Sequence, residues 1–134
     1  MKFMIEANHV QGQLKFSEIA VSPDEANGFR PFELFVSSLA GCSGTLLRDI
    51  LSKKRISYQK LEMEVEAVRN PEVANRIEQL AFLARVETEN PFSEEQAEKM
   101  AKLVIKNCGM IQSVIETIDI KLVIQAIPVK GSAQ

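Results

Sequence analysis

The stretch from Pro31 to about Lys54 constrains this chain more than any other. Leu34, Leu39, Leu46, Leu47, Ile50 and Leu51 recur at spacings of mostly three to five, the pattern of one apolar helix face. Pro31 suits the first helical turn, where its missing N–H costs nothing. Few charges interrupt the stretch before Arg48, so most of the helix circumference is expected to be buried. Around Cys42 the residues are small: Ser37, Ser38, Ala40, Gly41, Ser43 and Gly44. Each of the two glycines weakens an isolated helix by about 1 kcal/mol relative to Ala. A helix that carries this cost is expected to be approached closely there, by another helix or by a ligand.

The flanking sequence alternates instead. Residues 2–7 and 13–19 do so loosely on either side of Gln11-Gly12 and read as a hairpin. SPDEANGFRP, residues 22–31, is turn-rich and reads as a loop. Beyond the helix, Leu61, Met63, Val65, Ala67 and Arg69 alternate with Glu62, Glu64, Glu66 and Val68. That is a half-buried strand whose three glutamates mark the wet face. Asn70-Pro71 ends it, and residues 76–88 read as a second strand paired to it. Ser93-Glu94-Glu95-Gln96 is a capping-box pattern. Ala97, Met100, Ala101, Val104 and Ile105 then continue a helix that Asn107 ends. Cys108-Gly109 marks a break, Met110 to Thr117 a short further helix, and Ile118 to Ile127 a last strand. The order β-β-α-β-β-α-α-β describes an α+β domain, with a mainly antiparallel sheet and a long buried central helix. One domain is expected over residues 1–128, with a flexible tail at 129–134.

Composition narrows the function. With 134 residues, 46% apolar and 25% charged, the chain can bury one real core. A net charge of −2 offers no electrostatic case for nucleic acid. No uninterrupted apolar run reaches the roughly 18 residues of a membrane span. MKFMIEANHV lacks the apolar stretch of a signal peptide, so a cytoplasmic location is expected. A reducing cytosol disfavours a standing disulfide, which leaves Cys42 and Cys108 as buried small hydrophobes or as a redox or metal pair. Two Cys and one His fall short of a four-ligand zinc site unless carboxylates or a second chain contribute, and no cofactor is called for.

The two cysteines lie 66 residues apart and are the only side chains with obvious covalent chemistry. Cys108 stands at an expected helix start, where free N–H groups and the helix dipole favour a thiolate, and Lys102 and Lys106 precede it. Cys42 sits mid-helix among apolar and small residues, where burial alone would leave it inert. It becomes reactive only if a cation reaches it, and Arg30 and Arg48 are the nearest in sequence. Simple packing remains the alternative for both thiols. His9 reads as a surface residue of the first hairpin, the methionines as core filler, and Ser37, Ser38 and Ser43 as packing residues without a base.

Two segments carry a family resemblance. Pro31-Phe32-Glu33-Leu34 runs through small and apolar residues to Ala40-Gly41-Cys42, and Cys108 heads the last helix before a strand. In this the chain resembles the OsmC/Ohr family of osmotically inducible and organic-hydroperoxide-resistance proteins, from the first hairpin to the last strand. The resemblance implies an intertwined homodimer with two active sites at the subunit interface, each uniting both cysteines under apolar walls. It implies that Cys42 attacks an alkyl or lipid hydroperoxide, that Cys108 resolves the sulfenic acid as a disulfide, and that a small or lipoyl-type dithiol reduces the pair. This reverses the order of thiol acidity expected from the helix start.

The chain also departs from the family pattern. The peroxidases carry an arginine in their N-terminal strands that stabilises the thiolate. Here no arginine precedes Arg30, which lies just before the helix and is the candidate for that role. Phe32 stands where those members have a glutamate, and Glu33, one residue on, is the candidate support. Nine residues of helix from Glu33 to Cys42 turn about 900°, which puts the two on opposite faces. Gly109 stands where proline is common. These departures describe a divergent OsmC-like branch. They motivate a second reading, a non-enzymatic dimer that binds an apolar small molecule in the interface pocket.

Overall fold

The computed structural model describes residues 1–129. Residues 130–134, most of the expected flexible tail, lie outside the described residues, while Val129, counted in that tail, is buried. The strands are β1 (Lys2–Ile5), β2 (Val10–Gln13), β3 (Glu18–Val21), β4 (Lys60–Asn70), β5 (Arg76–Glu87) and β6 (Asp119–Ile127). The helices are α1 (Pro31–Lys53), α2 (Glu94–Asn107) and α3 (Gly109–Gln112). The chain divides into two compact units, Met1–Ser38 and Leu39–Gln134.

In the first unit β1, β2 and β3 form an antiparallel meander. The hairpin expected around Gln11-Gly12 is corrected here, because Gly12 lies within the middle strand and pairs with Phe3 and Ile19. A Cβ on Gly12 would meet the Phe3 ring at 2.8 Å. The glycine seats an aromatic side chain on the sheet rather than making a turn. In sequence a glycine without a side chain looks like a turn, and β2 is a strand beyond the expected order. His9 lies in the β1–β2 turn with Nδ1 2.8 Å from Asn8 Oδ1. The 22–30 loop is held by short polar contacts. Ser22 Oγ accepts the Asp24 N–H at 3.1 Å, and Phe29 N–H donates to Ala20 O at 2.8 Å. Phe3, Met4, Ile5, Phe16 and Phe29 all remain exposed.

Helix α1 ends as the sequence predicts, through a device the sequence did not announce. Arg55 adopts φ 59°, Ile56 N–H reaches back to Leu51 O at 2.9 Å, and Arg55 N–H to Ser52 O at 3.0 Å. This is a Schellman closure with a non-glycine left-handed residue, and Ile56 packs on the core that contains Leu51. Within the chain the buried part of α1 is one stripe, Leu39, Ser43, Leu47 and Leu51, rather than most of the circumference. By length and composition alone α1 could cross a membrane, although charges break its apolar run; its buried stripe packs into a protein core instead.

The second unit is a three-stranded sheet in the order β4-β5-β6. Strands β4 and β5 pair antiparallel from Lys60↔Glu87 to Asn70↔Arg76, with a bulge at Val68/Arg69. Strands β5 and β6 pair parallel from Gln79↔Asp119 to Glu87↔Ile127. A parallel pair needs a long crossover, which α2 supplies. The expected capping box is present: Ser93 Oγ accepts Gln96 N–H at 3.1 Å, and Gln96 Oε1 accepts Ser93 N–H at 2.9 Å. The expected helix over Met110–Thr117 shrinks to α3 followed by turns. Alternation decides the faces of the sheet. Leu80, Phe82, Ala84 and Val86 point inward, where Ala84 and Val86 join Leu47, Leu51, Met100 and Val104 in the core. On the opposite face Arg85 bridges Glu62 and Glu64 of β4 at 3.3 and 3.2 Å, the wet face expected for those glutamates.

Candidate functional site

Cys42 sits beside the buried stripe of α1 and is half-buried. Its neighbour Ser43 is fully buried and donates its hydroxyl to Leu39 O at 2.8 Å, so this serine is committed to the helix as a packing residue. Thr45 does the same toward Gly41 O at 2.7 Å. Gly41 and Gly44 meet nothing within 4 Å where a Cβ would stand. The close approach expected at these glycines is therefore not made within the described residues.

Cys108 comes from the junction of two helices and serves both. Its N–H closes α2 by donating to Val104 O at 2.9 Å, and its Sγ opens α3 by accepting Ile111 N–H at 3.5 Å. Gln112 braces the junction, with its side-chain amide donating to Ile105 O at 2.8 Å. Cys108 is fully buried.

The junction brings the two thiols together. Cys42 is held below its ordinary pKa by a hydrogen bond from the Cys108 thiol and by the N–H groups of Met110 and Gly109, against an opposing push from burial. Cys108 is pushed up, first by burial and then by the same bond to Cys42, with the Ile111 N–H acting against both. The order of acidity is thus the reverse of that expected from the helix start. The causes differ: neighbouring N–H groups lower Cys42, while full burial of Cys108 outweighs what the Ile111 N–H gives it. Gly109 and Met110 are the participants that reasoning from the sequence missed. The Cys108-Gly109 break was the available signal, and only the fold shows which sulfur it faces.

The other sequence candidates stand each within its own unit. Arg30 and Glu33 belong to the Met1–Ser38 unit and are exposed, and the Arg30 carbonyl opens α1 by accepting Leu34 N–H at 3.1 Å. Arg48 is exposed and paired with Asp49 at 3.3 Å. Lys102 and Lys106 are exposed on α2. Among the described residues no group of three or more His, Cys, Asp or Glu is placed to hold a metal ion. A groove of about 580 Å3 lies between α1 and α2, lined by Leu46, Asp49, Ile50, Lys53, Lys54, Leu103 and Asn107; neither cysteine lines it. Leu46 is one helical turn below Cys42, and Asn107, also on the groove, directly precedes Cys108.

The sequence profile described as OsmC-like protein matches residues 23–123. The chain belongs to the OsmC family. Solved structures share the fold of this OsmC-like chain at low identity. A hypothetical protein from Aquifex aeolicus VF5 is 18% identical, with a TM-score of 0.82 and 96% of each chain covered. An OsmC-like protein from Mycoplasma pneumoniae is 19% identical, with a TM-score of 0.72 and coverage of 90% of this chain and 89% of that one. An organic hydroperoxide resistance protein from Legionella pneumophila is also 19% identical, with a TM-score of 0.68 and coverage of 92% and 93%. No curated protein matches the chain in sequence.

Proposed function

We propose that this OsmC-like protein is a thiol-dependent peroxidase for organic hydroperoxides, with Cys42 as nucleophile and Cys108 as resolving thiol. What supports the reading is the pairing of two free thiols, with the Cys108 thiol and neighbouring N–H groups lowering the pKa of Cys42 and burial raising that of Cys108. The Cys42 thiolate attacks the outer peroxide oxygen, the O–O bond breaks, and the alkoxide leaves as an alcohol after taking a proton. The sulfur, oxidised by two electrons, becomes a sulfenic acid. Cys108 then attacks that sulfur, an S–S bond forms, and the hydroxyl leaves with the Cys108 proton as water. A dithiol, of lipoyl type or another small kind, reduces the disulfide and leaves as its own disulfide. Arg30, with Glu33 in support, is the cation offered to the thiolate. A reducing cytoplasm would return the pair to its thiol form.

The small and apolar residues around Cys42, with Leu39 and Leu46 on the same helix, support an alkyl or lipid hydroperoxide over hydrogen peroxide. An intertwined homodimer belongs to the same reading. It would cover Phe3, Met4, Ile5, Phe16 and Phe29, and would fill the open space at Gly41 and Gly44. Mixing the reduced protein with cumene hydroperoxide tests the peroxidase. Fast loss of both thiols, with Cys42 and Cys108 joined in the mapped disulfide, is expected. Oxidation no faster than that of free cysteine would sink the reading and favour the ligand-binding alternative.

A further inference from the structure

We propose that the groove between α1 and α2 binds a long-chain carboxylate, with the alkyl chain on Leu46, Ile50 and Leu103 and the head group at Lys53 and Lys54. The inference goes beyond the peroxidase reading and stands apart from it, because neither cysteine lines the groove.

The groove joins an apolar wall to a cationic end. Leu46 and Ile50 pack against the buried core and also line the groove, so its floor continues the core. Leu103 faces them from α2 and is 43% exposed, a large apolar side chain without full cover. From Leu46 to Lys54 the helix rises roughly 12 Å, the reach of a medium-length alkyl chain. The groove volume of about 580 Å3 lies within the range of small-molecule sites. Charge selects the head group. Among the described residues, the ion pairs engage neither Lys53 nor Lys54. Asp49, the one acid on the groove wall, is held by Arg48 at 3.3 Å. The end of a helix repels anions through its free carbonyls. Here the Ile50, Leu51 and Ser52 carbonyls already accept the N–H groups of Lys54, Ile56 and Arg55. From Arg48 to Lys60 the chain carries five cations and one anion, so this corner attracts anions against the net charge of −2. A cationic amphiphile would meet the lysines as like charges, and a short anion would leave the apolar wall uncovered.

The experiment titrates the reduced full chain with dodecanoate, below its micelle concentration, by isothermal titration calorimetry. Saturable binding of one dodecanoate per chain is expected, with dodecyltrimethylammonium and acetate each about tenfold weaker or more. Lys53→Glu/Lys54→Glu, at two exposed positions, is expected to keep its circular dichroism and to weaken dodecanoate about tenfold. If that variant fails to fold, Lys53→Gln/Lys54→Gln carries the same direction. Leu103→Ser is expected to weaken dodecanoate a few-fold and to leave the preference for the anionic head unchanged. Absence of binding overturns the proposal, and so does equal binding of the cationic amphiphile. Unchanged affinity in the lysine variants does the same. Leu103→Glu is read by analytical ultracentrifugation. Loss of self-association in that variant, with no dodecanoate bound by the wild type, would assign the groove to a second copy of the chain. Sedimentation with phosphatidylglycerol vesicles, again without binding of free dodecanoate, would assign it to a membrane surface. Either result overturns the proposal.

Discussion

Cys42 and Cys108 are the same side chain in opposite settings. Cys42 lies on the flank of a long helix, half open to its surroundings, and receives hydrogen bonds. Cys108 is fully enclosed, closes one helix, opens another, and gives its proton toward Cys42. A helix start therefore does not by itself acidify the cysteine that occupies it. Donors act on the sulfur they point at, and burial acts on the sulfur that loses water. Here the two effects fall on different residues and divide one pair into a nucleophile and a resolver.

Removing one thiol at a time breaks the comparison most directly. Cys42→Ser is expected to abolish hydroperoxide turnover, whereas Cys108→Ser leaves one stoichiometric oxidation that stops at the sulfenic acid. Stopped-flow peroxide consumption with sulfenic-acid trapping reads both, and equal effects of the two substitutions would end the division of roles. The next effect is in pH. Cys42 has its pKa lowered, so its alkylation should rise through a midpoint below the free-thiol value of about 8.5 and level off above it. Cys108 has its pKa raised, so its midpoint should lie above that value. At pH 7 the two rates should differ by at least about tenfold. Inverted midpoints would restore the order expected from the helix start.

How much of this was legible in the sequence follows from what each signal encodes. Periodicity gave α1 to within a residue, and the Ser93–Gln96 box marked the start of α2, because spacing and capping are local. The alternation of Leu61–Arg69 separated the core face from the Arg85-bridged glutamates. Gly12 failed as a signal, since a glycine in a turn and a glycine under an aromatic ring look alike until Phe3 is placed. The parallel β5–β6 pair was invisible, because pairing direction is set by the crossover and not by the strands. Both cysteines were picked out by their chemistry. Their meeting was legible only through the family resemblance, since 66 residues of separation say nothing of distance.

Stability should follow the same contrast at smaller scale. Cys108→Ala removes a fully enclosed sulfur that also caps α3, and a loss of about 1–3 kcal/mol in urea unfolding is expected. Cys42→Ala, half open, should cost less than about 1 kcal/mol. Equal losses would mean that the enclosure of Cys108 contributes nothing beyond that of Cys42.

The smallest expected effect sharpens the comparison furthest, because it separates enclosure from acidity. Gln112 touches neither sulfur in its brace to Ile105 O, yet that bond ties α3 to the last turn of α2. Gln112→Ala removes one exposed side-chain hydrogen bond, a loss of about 0.5–1 kcal/mol. If the brace is what keeps Cys108 enclosed, the junction should open more often, and alkylation of Cys108 should speed up a few-fold in native-state labelling. The Cys42 midpoint should stay where it is, since its donors are the Cys108 thiol and the backbone at 109 and 110. A joint shift of both cysteines would mean that the brace positions those donors as well, and that enclosure of one thiol and acidity of the other are a single property of the α2–α3 junction.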